Sequence, residues 1–131
     1  MAAKTIDYSK FKVWVVEDDL PSWGLVSRLL EVIGITDFTV TIKVSTVFEA
    51  MEKGLGIDVL LIDVHLKDGS GYDLLHRVQN DPNYARTKCL MISASTGPKG
   101  IREAQAAHAD GFISKPLTID KGSPDFPQVF L

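Results

Sequence analysis

Four apolar runs in this chain each stop at a residue able to do chemistry. Val13-Trp14-Val15-Val16 runs into Glu17-Asp18-Asp19, and Val59-Leu60-Leu61-Ile62 into Asp63. Leu90-Met91-Ile92 stops at Ser93, and a fourth short run, Phe112-Ile113-Ser114, stops at Lys115-Pro116. Clustered carboxylates repel one another, and a bound cation relieves that repulsion. Magnesium favours such hard oxygen ligands and usually keeps waters and a phosphate oxygen. A carboxylate can also act as a nucleophile and form an acyl phosphate. A lysine ammonium and a hydroxyl donor suit the charge that then builds on the phosphoryl oxygens. The chemistry needs all four strand ends on one edge of one sheet.

The elements that must position these groups alternate. Phe11 to Val16, Phe38 to Val44, Ile57 to Ile62, Lys88 to Ile92 and Phe112 to Ser114 read as strands. Between them, Leu20 to Ile33, Thr46 to Lys53, Ser70 to Gln79 and Pro98 to Ala107 read as helices. In the first helix Leu25, Leu29 and Val32 recur at helical spacing, and Val26, Leu30 and Ile33 widen the stripe. Asp19 suits its N-cap, Pro21 its first turn and Gly34 its end, while Gly54 closes the second helix. Strand and helix in alternation predict an α/β fold: a doubly wound, five-stranded parallel sheet with helices on both faces. In the order 2-1-3-4-5 the switch point lies between strands one and three, where Glu17-Asp18 and Asp63 end their runs.

Composition narrows the alternatives. With 131 residues, 45% of them hydrophobic, the chain suits one domain with its own core. Fourteen basic residues against 17 acidic ones give a net charge of -3 without a basic stripe, which argues against direct nucleic-acid binding. Lys99 and Arg102 are isolated and read as a solvated helix face. The single cysteine, Cys89, excludes an internal disulfide and reads as a buried strand residue. Lys4, Asp7 and Lys10 interrupt any signal-peptide pattern, and no run reaches membrane-spanning length. A cytoplasmic protein without membrane contact is the expectation. No glycine-rich loop follows Val16, which disfavours a dinucleotide site.

The runs Val-Val-Glu-Asp-Asp, Leu-Ile-Asp-Val-His-Leu-Lys-Asp-Gly-Ser-Gly, Met-Ile-Ser-Ala and Phe-Ile-Ser-Lys-Pro resemble the receiver domain of two-component response regulators, the CheY-like family. Each run is weak alone; their order, with 30 residues from Asp63 to Ser93 and 22 more to Lys115, is specific. The resemblance spans residues 11 to 116, within a domain taken as 11 to 131 after a lead-in of 1 to 10.

The resemblance implies a flavodoxin-like fold and a role for each strand end. Asp63 is then the phosphoacceptor for a histidine kinase or a histidine phosphotransfer protein. Glu17, Asp18, Asp63 and the backbone carbonyl of His65 hold Mg2+. Ser93 and Lys115 contact the phosphoryl group, Ser93 and Phe112 form a switch, and the Lys115-Pro116 bond is cis. The implied activity is self-catalysed phosphotransfer and autodephosphorylation, not turnover of an external substrate. His65, two residues past Asp63, is a candidate for tuning phosphoryl lifetime. Lys67 stands where the family often has proline, and His108 where it often has glycine.

Simpler readings stand beside these. Asp19 suits a helix cap better than a metal ligand, and Asp18 shares part of that role. Phe112 alone is core more often than switch. From residue 117 the sequence is atypical: Ser123-Pro124 begins a last helix late, so that helix is late, short or missing. Output is expected through protein contacts or an effector domain beyond this sequence, with a homodimer as one form. The alternative is a receiver-fold interaction module with little phosphotransfer. A metal-dependent phosphatase is a third class, disfavoured because little chain is left for a substrate-binding cap.

Overall fold

Asp19 caps the first helix as its sequence position suggests, and the ends of the strands follow from the same local chemistry. The computed structural model describes residues 10–67, 69–93 and 98–115. Residues 1–9 of the lead-in, the expected cis bond at Lys115-Pro116 and the segment from 117, where a last helix is expected late, short or missing, lie outside the described residues.

Strand β1 (Lys12–Val16) leads to α1 (Leu20–Ile33), β2 (Asp37–Thr41), α2 (Val44–Glu52) and β3 (Val59–Asp63). A short antiparallel ribbon of β4 (His65–Leu66) and β5 (Gly69–Ser70) then precedes α3 (Gly71–Gln79). A one-turn 3-10 helix (Pro82–Tyr84), β6 (Lys88–Ser93), α4 (Pro98–Ala106) and β7 (Gly111–Ser114) complete the described chain. The main sheet runs β2-β1-β3-β6-β7, and all four pairings are parallel. With the small ribbon set aside, this is the predicted order 2-1-3-4-5.

Caps at both ends define α1. The Asp19 carboxylate accepts from the Ser22 N–H at 3.1 Å and the Ser22 hydroxyl at 2.7 Å. Gly34 ends the helix at φ 100°, a left-handed conformation that costs glycine little. The buried stripe is Val26, Leu29, Leu30 and Ile33. Val32, expected inward, is 37% exposed, because the face that meets the sheet is centred on Val26, Leu29 and Leu30.

The second strand is shorter than its alternation suggests. It stops at Thr41, whose hydroxyl accepts from the Lys43 N–H at 3.2 Å and turns the chain. Ile42 is left 54% exposed, and Val44, expected in the strand, is instead the buried first residue of α2. The apolar alternation thus runs across a turn, and pattern alone does not mark the change. The ribbon of β4 and β5 and the 3-10 helix carried no periodic signal because each is too short to show one.

Alternating side chains divide the core into two layers. Val13, Val15, Leu61, Leu90, Ile92 and Ile113 pack with Val26, Leu29 and Leu30 of α1. On the other face Leu60, Ile62 and Met91 pack with Val47 of α2, Leu74, Leu75 and Val78 of α3, and Ala104 of α4. Full burial of each large apolar side chain contributes roughly 1.5–3 kcal/mol. The central strand β3 is buried over its whole length, so Asp63 ends a rigid element.

Candidate functional site

The carboxyl edge of the sheet gathers the acidic groups. The β1–β2 ladder continues one residue past β1, with the Glu17 N–H donating to the Thr41 carbonyl at 3.0 Å. The β6–β7 ladder continues likewise, with the Lys115 N–H donating to the Ser93 carbonyl at 2.9 Å. Glu17, Asp63 and Lys115 therefore follow the alternation of Val15, Leu61 and Ile113 and emerge at the sheet edge on the α1 side.

Lys115 Nζ lies 3.0 Å from Glu17 Oε2, 3.1 Å from Glu17 Oε1 and 3.2 Å from Asp63 Oδ2. Glu17 and Asp63 are nearly closed to solvent, at 1% and 4% exposure. The second oxygen of Asp63, Oδ1, accepts from the His65 N–H at 3.1 Å. Asp18 is partly buried, and its Oδ2 accepts from the Lys67 N–H at 2.9 Å. Glu17 Oε1 also accepts from the Asp19 N–H at 3.0 Å, so the start of α1 is tied to the site.

Burial, and next the neighbouring Asp63, pushes the Glu17 carboxyl up to about 7, against opposing bonds from the Asp19 N–H and Lys115. Burial also pulls the Lys115 ammonium down, but the two carboxylates outweigh it and hold Lys115 above the usual lysine range. Asp19 is lowered by its bonds from Ser22, consistent with a cap rather than a ligand.

One carboxylate oxygen from each of Glu17, Asp18 and Asp63 lies within 4.8 Å of the other two. Glu17 Oε2 is buried and, although 3.0 Å from Lys115 Nζ, receives no hydrogen bond. Three close carboxylates with one oxygen unbonded fit a hard divalent cation such as Mg2+.

The remaining predicted site residues are Ser93, Phe112 and His65. Ser93 is buried at the end of β6, one residue past Ile92, which pairs with Asp63. It follows the alternation of Cys89 and Met91, on the face opposite Glu17 and Asp63. Phe112 pairs with Met91, is half-buried and packs against that same layer beside α4. The His65 side chain is exposed, while its backbone is anchored to Asp63.

Two supporting residues carried little sequence signal. Gly71 opens α3 directly against the Asp63 backbone: a Cβ there would collide with the Asp63 carbonyl oxygen and lie 2.8 Å from Ile62 Cγ2. Its N–H donates to the Val64 carbonyl at 3.0 Å. Ser70, expected inside α3, is instead its N-cap and accepts from the Tyr72 N–H at 3.2 Å.

A family model described as the response regulator receiver domain matches residues 13–123. The chain belongs to that family. Among curated receiver proteins, the chemotaxis protein CheY of Pseudomonas aeruginosa is 27% identical over 107 residues, covering 82% of this chain and 86% of that one. The two-component response regulator ORR3 of Oryza sativa subsp. indica is 24% identical over 123 residues, covering 89% of this chain and 88% of that one. Protein RcaC of Microchaete diplosiphon is also similar, but the matched region is 16% of its length. Among solved structures, the response regulator CheY4 of Vibrio cholerae superposes with a TM-score of 0.73 at 25% identity, covering 83% of this chain and 89% of that one. A putative response regulator from Chloroflexus aurantiacus J-10-fl gives a TM-score of 0.75 at 23% identity, with coverage of 83% and 88%, and supports the receiver fold.

Proposed function

We propose that this receiver domain is a phosphoacceptor switch in which Asp63 takes a phosphoryl group from a histidine kinase or a histidine phosphotransfer protein. The observation that carries the reading is Lys115 Nζ held between Glu17 and Asp63 at the sheet edge. An Asp63 carboxylate oxygen attacks the phosphorus of a phosphohistidine. The new P–O bond forms as the P–N bond breaks, and the imidazole leaves with the electron pair. In this reading Lys115 neutralises charge on the phosphoryl oxygens, and Ser93, which ends the adjoining strand, reorients its hydroxyl to donate to one of them.

Glu17, Asp18, Asp63 and the His65 carbonyl are the groups that would hold Mg2+, which supplies neutralisation of the phosphoryl charge. The shared layer beside α4 supports coupling between Ser93 and Phe112. Phosphorylation biases the two between alternative arrangements and alters a protein-binding surface there. His65, exposed beside Asp63, tunes how long the phosphoryl group survives. The phosphoryl half-life of His65→Ala will then differ from that of the wild type, and equal half-lives remove that role.

Treatment with acetyl phosphate and Mg2+ tests the main reading by intact mass. Wild type gains one phosphoryl group and Asp63→Asn gains none. No gain on wild type, or the same gain on Asp63→Asn, overturns it in favour of an interaction module.

A further inference from the structure

We propose that the main-chain N–H of Lys67 is a positioning group that holds Asp18 in its metal-binding orientation. The role rests on the phosphoacceptor reading above. Lys67 and Asp18 are 49 positions apart in sequence, and the N–H meets Oδ2 at 2.9 Å, in the range of charge-assisted bonds. The bond engages one carboxylate oxygen and leaves the other for a cation. Without it, a partly exposed aspartate at a strand end keeps more than one rotamer, and a cation must restrict it on binding.

The same short ribbon serves a second ligand, because the His65 N–H holds Asp63 Oδ1 at 3.1 Å. Its paired register joins His65 to Ser70 and Leu66 to Gly69, so Lys67 lies outside the ladder. Two of the three clustered carboxylates are thus aligned by amides two residues apart on one segment. Groups that orient metal ligands in this way commonly change metal affinity by about 10–100-fold when removed.

The Lys67 side chain is exposed and plays no part; the donor is the backbone. Proline deletes that donor, whereas alanine keeps it. Two conditions for proline are met: among the described residues, Lys67 is not one with positive φ, and Leu66, in strand β4, has the extended conformation proline requires before it.

The test is the Mg2+ dissociation constant, measured by calorimetry for wild type, Lys67→Ala and Lys67→Pro, with the melting temperature of each recorded without Mg2+. Lys67→Pro is expected to bind about tenfold more weakly than Lys67→Ala. Equal binding by the two variants, or tighter binding by the proline variant, overturns the positioning role. Amide exchange at Lys67 in the Mg2+-free protein is a second measurement that needs no proline. Exchange should be slow in wild type, fast in Asp18→Ala and slow again in Asp18→Asn, whose amide oxygen still accepts. Equal exchange in wild type and Asp18→Ala also overturns the role. A wild type that binds no Mg2+ brings down the metal-dependent phosphoacceptor reading and this role together. A wild type that binds Mg2+ no better than its proline variant brings down this role alone.

Discussion

Gly71 lies so close to Asp63 that a Cβ on the glycine would collide with the aspartate's carbonyl oxygen. The first turn of α3 thus backs directly onto the end of β3. Gly71→Ala must push helix and strand apart, and overpacking of this kind costs about 1–3 kcal/mol. Chemical denaturation is expected to show that loss. The variant should also take phosphoryl groups from acetyl phosphate more slowly, because Asp63 moves against Lys115. Wild-type stability in Gly71→Ala would mean that the contact relaxes freely.

Glu17 makes stability depend on pH in the direction opposite to that of a carboxylate whose pKa falls on folding. Its folded-state pKa, about 7, lies above the ordinary value of 4.5, so the folded protein binds the extra proton. That contribution is complete below about 4.5 and is lost as pH rises through about 7. Lys115 is also raised, but its loss falls at higher pH, above the ordinary lysine value of 10.5. Without Mg2+, thermal melts should show Glu17 lowering stability between pH 5 and pH 8, an effect absent in Glu17→Gln. Added Mg2+ competes with the proton, so it should stabilise more at pH 8 than at pH 5. An equal Mg2+ effect at both ends of that window contradicts the assignment.

Cys89 is buried in β6 between Lys88 and Leu90, and burial pushes its thiol up to about 12, with a smaller push from Asp110. The thiolate is the reactive form, so the folded protein should resist iodoacetamide at pH 8. Label should enter only at the rate of unfolding and rise sharply in denaturant. Rapid labelling under native conditions would place the thiol at the surface.

His108 holds φ at 60°, the left-handed conformation in which a side chain is strained. That explains why glycine suits this position. Its carbonyl and that of Ala107 both accept from Gln79 Nε2, at 3.1 Å and 2.9 Å, which ties the end of α4 to α3. His108→Gly keeps both acceptors and relieves the strain, for an expected gain of about 1 kcal/mol. Equilibrium denaturation with urea measures it, and a loss of stability would show that the imidazole contributes contacts that outweigh the strain.

The sequence by itself determined the alternation of elements and the identity of the groups at four strand ends. Those properties are local: an apolar run ends where its next side chain is charged, and a cap such as Asp19 bonds within its own turn. Val32 and Val44 mark the limit of such reasoning. Both fit a periodic pattern, yet packing against the sheet left the first half exposed and made the second the buried start of a helix. Only the tertiary structure decided that Lys115 reaches Glu17 and Asp63, because that contact joins residues 98 and 52 positions apart. The same holds for Gly71 against the Asp63 backbone and the Lys67 N–H on Asp18. These depend on main-chain atoms, which every residue carries, so no pattern of side chains announces them. Glu17 illustrates both levels: its place after β1 is legible in the chain, but its raised pKa comes from burial that folding alone creates.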